Sequence, residues 1–115
     1  MNKPFSISPL LLACLAGNAH SAPGLNDAES LGTQAGAMEY CRDNFSSDNK
    51  TRNQYDALRS AYIKDFDQLA GSDKQRALQI AGMVGKKGNV GGNKLSESRC
   101  DQIRKAALRE KLQGQ

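Results

Sequence analysis

Sulfur carries most of the chemistry this sequence could do. Cys14, Cys41, Cys100 and the single histidine, His20, are its candidate nucleophiles and soft metal ligands. No Cys-x-x-Cys pair occurs, so a thioredoxin-type redox centre is not expected. Cys14 and His20 both lie in an N-terminal segment with the marks of an export signal, which leaves Cys41 and Cys100 in the mature chain. Two thiols alone do not close a tetrahedral zinc site, and no metal or other cofactor is expected. In an oxidising compartment two thiols can instead join. Closing a loop of about 59 residues, a Cys41–Cys100 bridge would be worth roughly 4 kcal/mol in the chain-entropy picture.

The second chemical feature is cationic. Residues 85–93 read GKKGNVGGN, and Lys86, Lys87 and Lys94 beside these glycines could form a nest for an anion, with Arg104 as a further candidate contact. The GxxxxGK[ST] spacing of a phosphate-binding loop is absent, and no strand pattern precedes the segment. The simpler expectation is a mobile, irregular loop over 85–93. Charge is divided along the chain. Residues 22–73 hold five Lys/Arg against nine Asp/Glu, and residues 74–115 hold ten against three. A basic C-terminal half in an exported protein can face an acidic protein or an anionic envelope component, or it can balance the acidic half of its own fold. Nucleic acid is not an expected partner. Hydrolysis needs a nucleophile with a base, a carboxylate pair in a cleft, or a metal, and none of these is legible here, so no catalytic residue is assigned.

These groups have to be positioned by helices. Over 95–112 (LSESRCDQIRKAALREKL), Ser96 reads as an N-cap, and Cys100, Ile103, Ala107, Leu108 and Leu112 form an apolar stripe. Asp101 stands one turn before Arg104 and Lys105, in the favourable acid-first order. Cys41 falls on a helix expected to open with an Asn26/Glu29 capping box, on the face of Leu31, Ala35, Met38 and Phe45. Gly32 and Gly36 thin this helix, so that another can approach closely. The clearest pattern is Tyr55, Leu58, Tyr62, Phe66 and Leu69, predicting a helix over 51–70 that ends at Gly71 in a positive-φ position and supplies much of the core. Ser72 with Gln75 reads as the capping box of a shorter helix whose apolar positions are Ala77, Leu78, Ala81 and Val84.

The beginning of the chain predicts export. Lys3, a mostly apolar run over 7–16 and small residues up to Ser21 have the order of a signal peptide, and the run is too short to span a bilayer. Cleavage is expected after Ser21, with Ala19 as the other small-x-small site. Leu11-Leu-Ala-Cys14 also resembles a lipobox, in which Cys14 would be lipidated and anchor the protein to a membrane.

Two segments together, AGAMEYC over 35–41 and CDQIRKAA over 100–107, resemble the ends of a family of small secreted bacterial proteins with two cysteines (the group containing YjjA). That family has no established activity. The resemblance implies export and pairing of Cys41 with Cys100, and no catalytic residue. A looser likeness is to secretion pilotins and periplasmic acid-stress chaperones, which are small, exported, helical and closed by one disulfide. The expected protein is therefore all-α: a signal peptide over 1–21, then one domain over 22–115, a three- to four-helix bundle closed by one disulfide. Its expected role is that of a non-enzymatic binding or chaperone-like module of the periplasm. A lipid-anchored pilotin-like factor and a periplasmic inhibitor or immunity protein are the alternatives.

Overall fold

The computed structural model describes residues 25–112. The expected export signal over 1–21, the expected cleavage after Ser21 and the alternative lipidation of Cys14 fall outside the described residues. Four helices follow one another: α1 (Leu25–Phe45), α2 (Asn49–Asp65), α3 (Gly71–Lys87) and α4 (Glu97–Ala107). A 3₁₀ turn, Phe66–Gln68, extends α2, and a π-helical turn, Leu108–Leu112, extends α4. Between α3 and α4 lies a small hairpin of β1 (Asn89–Val90) and β2 (Asn93–Lys94).

The helices run up, down, up and down, with α1 in the middle. Ion pairs Arg42–Asp56 (2.8 Å) and Arg59–Glu39 (3.5 Å) set α2 antiparallel to α1. The Cys41–Cys100 disulfide, with Cα atoms 5.6 Å apart, fastens α4 to α1. Arg104 on Tyr55 and Lys111 on Asp65 then fix α4 along α2 in the same direction. On the far side, α3 runs parallel to α1 and rests almost entirely on it.

The predicted core of α2 is in place. Tyr55, Leu58, Tyr62, Phe66 and Leu69 are all buried, together with Met38, Cys41 and Cys100. Burying each large side chain contributes roughly 1.5–3 kcal/mol. Asp48, not singled out from the sequence, is the N-cap of α2, its carboxylate accepting from the Thr51 N–H at 2.7 Å. That bond is the first cause holding the Asp48 carboxyl below its usual range. Ser96 caps α4 as expected, accepting from the Arg99 N–H at 3.1 Å, and Leu95 before it is buried.

Four local expectations are corrected. Gly71 does not end α2 with positive φ; it begins α3, because the 3₁₀ turn has already stopped the preceding helix. Ser72 is inside α3, whose N-cap is Ala70 without a side-chain bond, so the Ser72/Gln75 capping box does not form. Asn26 likewise lies within α1 and not before it. The segment 85–93 is regular, not an irregular loop. Gly85 to Lys87 complete α3, Gly88 closes it at φ 70°, and Gly91-Gly92 turn the hairpin with φ of 61° and 84°. Two successive positive φ values make a type I′ turn, matched to strand twist. The glycines that suggested disorder are what the tight geometry requires.

Candidate functional site

The disulfide is buried and structural in its setting. Both cysteines are fully enclosed, so neither sulfur faces solvent. Beside them Arg104 is held in place: its side chain is only 12% exposed, its Nη1 donates to Asp101 Oδ1 at 2.8 Å and to the Tyr55 hydroxyl at 3.0 Å, and its guanidinium stands 5.3 Å from the Tyr55 ring centroid. Burial pulls against its charge, yet Asp101 and Tyr55 outweigh that and raise its pKa. Arg104 is thus tied into the α2–α4 contact.

Lys86 and Lys87 are exposed on the last turn of α3, where cations suit the negative pole of the helix. Lys94 is exposed on β2, opposite Asn89. The four candidate contacts therefore divide between the α3–hairpin end and the α2–α4 contact. Within 85–93 the Gly88 N–H donates to Val84 O at 2.7 Å, and the Gly88 carbonyl accepts from the Leu95 N–H at 2.8 Å.

The outer face of α3 is the surface the sequence did not reveal. Leu78, expected in the core, is 46% exposed, and Met83 is 57% exposed. Between them Gly82 leaves open space, since a Cβ there would meet nothing within 4 Å. The resulting shallow groove, about 650 Å³, is bordered by Arg76, Lys86 and Lys87, and no carboxylate among the described residues lines it. The inner face is instead Ala77, Ile80, Ala81, Val84 and Gly85. A signal for this existed: Ala77, Ala81 and Gly85 repeat at four-residue steps, as do Ala28, Gly32 and Gly36 on α1. Matching two small-residue stripes turns Leu78 outward.

Electrostatic ties across the chain follow its charge division. Arg76 reaches Glu29 on α1 at 3.3 Å, Lys74 reaches Asp67 at 2.9 Å, and Lys111 pairs with Asp65. In each pair the basic half supplies the cation and the acidic half the carboxylate. Lys86 and Lys87 have no such partner among the described residues. No described helix is long and apolar enough to cross a membrane, and no cluster of three or more His, Cys, Asp or Glu side chains able to hold a metal ion occurs among the described residues. In comparison with known proteins, the chain matches no protein-family model, no curated protein and no solved structure.

Proposed function

We propose that this protein is an exported, non-enzymatic binding module that holds an acidic, partly apolar polypeptide segment against the outer face of α3. The observation that carries this reading is the groove of Leu78, Gly82 and Met83, flanked by Arg76, Lys86 and Lys87 and free of lining carboxylates. A concave strip on a helix receives a ridge of apolar side chains, the mode in which an amphipathic helix docks. Three cations around it favour an acidic partner and speed its encounter. The buried disulfide supports export, since such bonds persist mainly in oxidising compartments. In this reading α1, α2 and α4 are the support, and α3 is the part presented.

Gly82 gives a clean test. A Cβ there meets nothing within 4 Å and glutamate improves helix propensity, yet it places a carboxylate in the groove among its cations. Binding of an acidic amphipathic helical peptide, followed by fluorescence anisotropy, should weaken about tenfold in Gly82→Glu and again in the Lys86→Glu/Lys87→Glu pair. Thermal stability should be unchanged or higher in Gly82→Glu. Binding to phosphatidylglycerol vesicles without binding to the peptide would move the function to a lipid surface. Binding to neither would remove this face from consideration. N-terminal sequencing of the exported protein decides the anchoring alternative: a start at Ala22 fits a soluble module, and a diacylated Cys14 a pilotin-like one.

A further inference from the structure

Met38, Cys41, Met83 and Cys100 are the sulfur-bearing side chains among the described residues, and the fold sets one of them apart. Cys41 and Cys100 are fully enclosed and joined to each other. Met38 is 0% exposed in the same core. Met83, in contrast, is 57% exposed on the outer face of α3, where it lines the groove with Leu78 and Gly82. Gly82 beside it contributes no side chain that could cover the sulfur. A thioether in solvent is open to two-electron oxidants, whereas an enclosed one is reached only when the protein opens.

We propose that Met83 is an oxidation site through which the α3 groove is switched. The inference rests on the reading of that groove as the binding face. Hydrogen peroxide supplies one oxygen atom: its O–O bond breaks, an S–O bond forms at the thioether, and water leaves. The sulfur is oxidised by two electrons and the peroxide is reduced by two. The product, methionine sulfoxide, is polar where the thioether was apolar. An incoming apolar ridge would strip water from that oxygen and offer it no hydrogen bond, which opposes docking. Lys86 and Lys87 follow Met83 by three and four residues, the spacing at which side chains meet on one helix face. The sulfoxide oxygen can accept from their ammonium groups, which diverts these cations from the carboxylates of a partner. Met83 takes no part in the buried face of α3, so the change leaves the fold in place.

Treating the disulfide-bonded protein with hydrogen peroxide and mapping its peptides tests the site. Met83 should gain one oxygen at least about tenfold faster than Met38, and the two should react alike once urea unfolds the chain. Protein converted at Met83 should bind the acidic amphipathic helical peptide about tenfold more weakly, with its melting temperature unchanged. Methionine sulfoxide reductases, one for each sulfur epimer, should restore binding. Met83→Leu, close in volume and free of sulfur, should bind like the parent and keep that binding after the same treatment. Oxidation of Met38 as fast as Met83 in the folded protein would overturn the site. Full binding after complete conversion at Met83, or lost binding in peroxide-treated Met83→Leu, would overturn the switch and leave the groove reading standing. No peptide binding by the untreated parent would overturn the groove reading and the switch with it.

Discussion

The two sides of α1 are held by opposite means. Toward α3 the contact is a seam of small residues in which backbones nearly touch: a methyl group on Gly32 would stand 2.6 Å from Ala77 O, and one on Gly36 2.6 Å from Ala81 O. Toward α2 and α4 the contact is made of bulk, with Tyr55, Leu58, Tyr62 and Phe66 filling the space and the Cys41–Cys100 bond closing it. Large side chains remove much apolar area from water and supply most of the stability. The seam removes less area per residue and gains from close dispersion contact, which falls off steeply with separation. One helix thus has a side that tolerates no addition and a side that tolerates no removal. α3 is attached by the seam.

Truncation on the bulky side should have the largest effect. Phe66→Ala is expected to cost about 3–5 kcal/mol and Leu58→Ala about 2–5, measured by urea unfolding of the oxidised protein. Losses below half a kcal/mol at both would mean that this side does not carry the fold. Next comes the covalent link. Replacing Cys41 and Cys100 by serine should cost about 2–4 kcal/mol, because a closure spanning 59 residues is lost from the unfolded state. For a domain of this size that is roughly 10 °C or more in melting temperature. Helix content at low temperature should persist, since the α2 core is untouched.

The seam should respond to the reverse change. Gly36→Ala adds one methyl against Ala81 O, Val84 Cβ at 2.7 Å and the Gly85 nitrogen at 3.0 Å, two of which are backbone atoms that cannot rotate away. Overpacking of this kind costs about 1–3 kcal/mol, and the helix-propensity gain of up to about 1 kcal/mol offsets part of it. A net loss of about 1–2 kcal/mol is expected. Amide exchange should quicken in α3 and the hairpin while α2 stays protected. Gly82→Ala, one turn from the seam but facing open space, should stabilise by about 0.5–1 kcal/mol. If Gly36→Ala also stabilises, the two sides of α1 do not differ as described.

The bulky side was legible in the sequence and the seam only partly so. Tyr55, Leu58, Tyr62, Phe66 and Leu69 mark a helical face by size and spacing alone, and the two cysteines outside the expected leader allow one pairing. The seam is written in glycine and alanine, whose spacing has meaning only when two helices are compared. Gly32 and Gly36 show that something comes close, but choosing α3 requires matching them to Ala77 and Ala81. Without that match Leu78 reads as core. The hairpin was hidden for a related reason: Gly88, Gly91 and Gly92 look permissive in a sequence, whereas positive φ at all three makes them specific. Tyr62 was placed in the core by the same spacing, but nothing in the sequence shows that its hydroxyl is buried there with no partner among the described residues.

The smallest expected effect concerns that same phenol and returns to the bulky side. Burial, with help from Glu110 and Asp65, pushes the Tyr62 pKa up to about 12. In the unfolded chain it titrates near its ordinary value of 10.0. An acid whose folded pKa is raised is held neutral by the native state while the unfolded state ionises. Stability is therefore intact below about pH 10 and falls as pH rises toward 12. Over the accessible part of that window, pH 9 to 11, the loss attributable to Tyr62 is about 1 kcal/mol. Tyr55 shifts in the same direction, chiefly through burial, and adds to the slope. Tyr62→Phe should flatten the decline without abolishing it, read as urea midpoints compared at pH 9 and pH 11. A variant as steep as the parent would mean that the Tyr62 hydroxyl is solvated in the folded state. The part of the core that Tyr62 fills, between α2 and the π-helical turn, would then be looser than the part around Phe66.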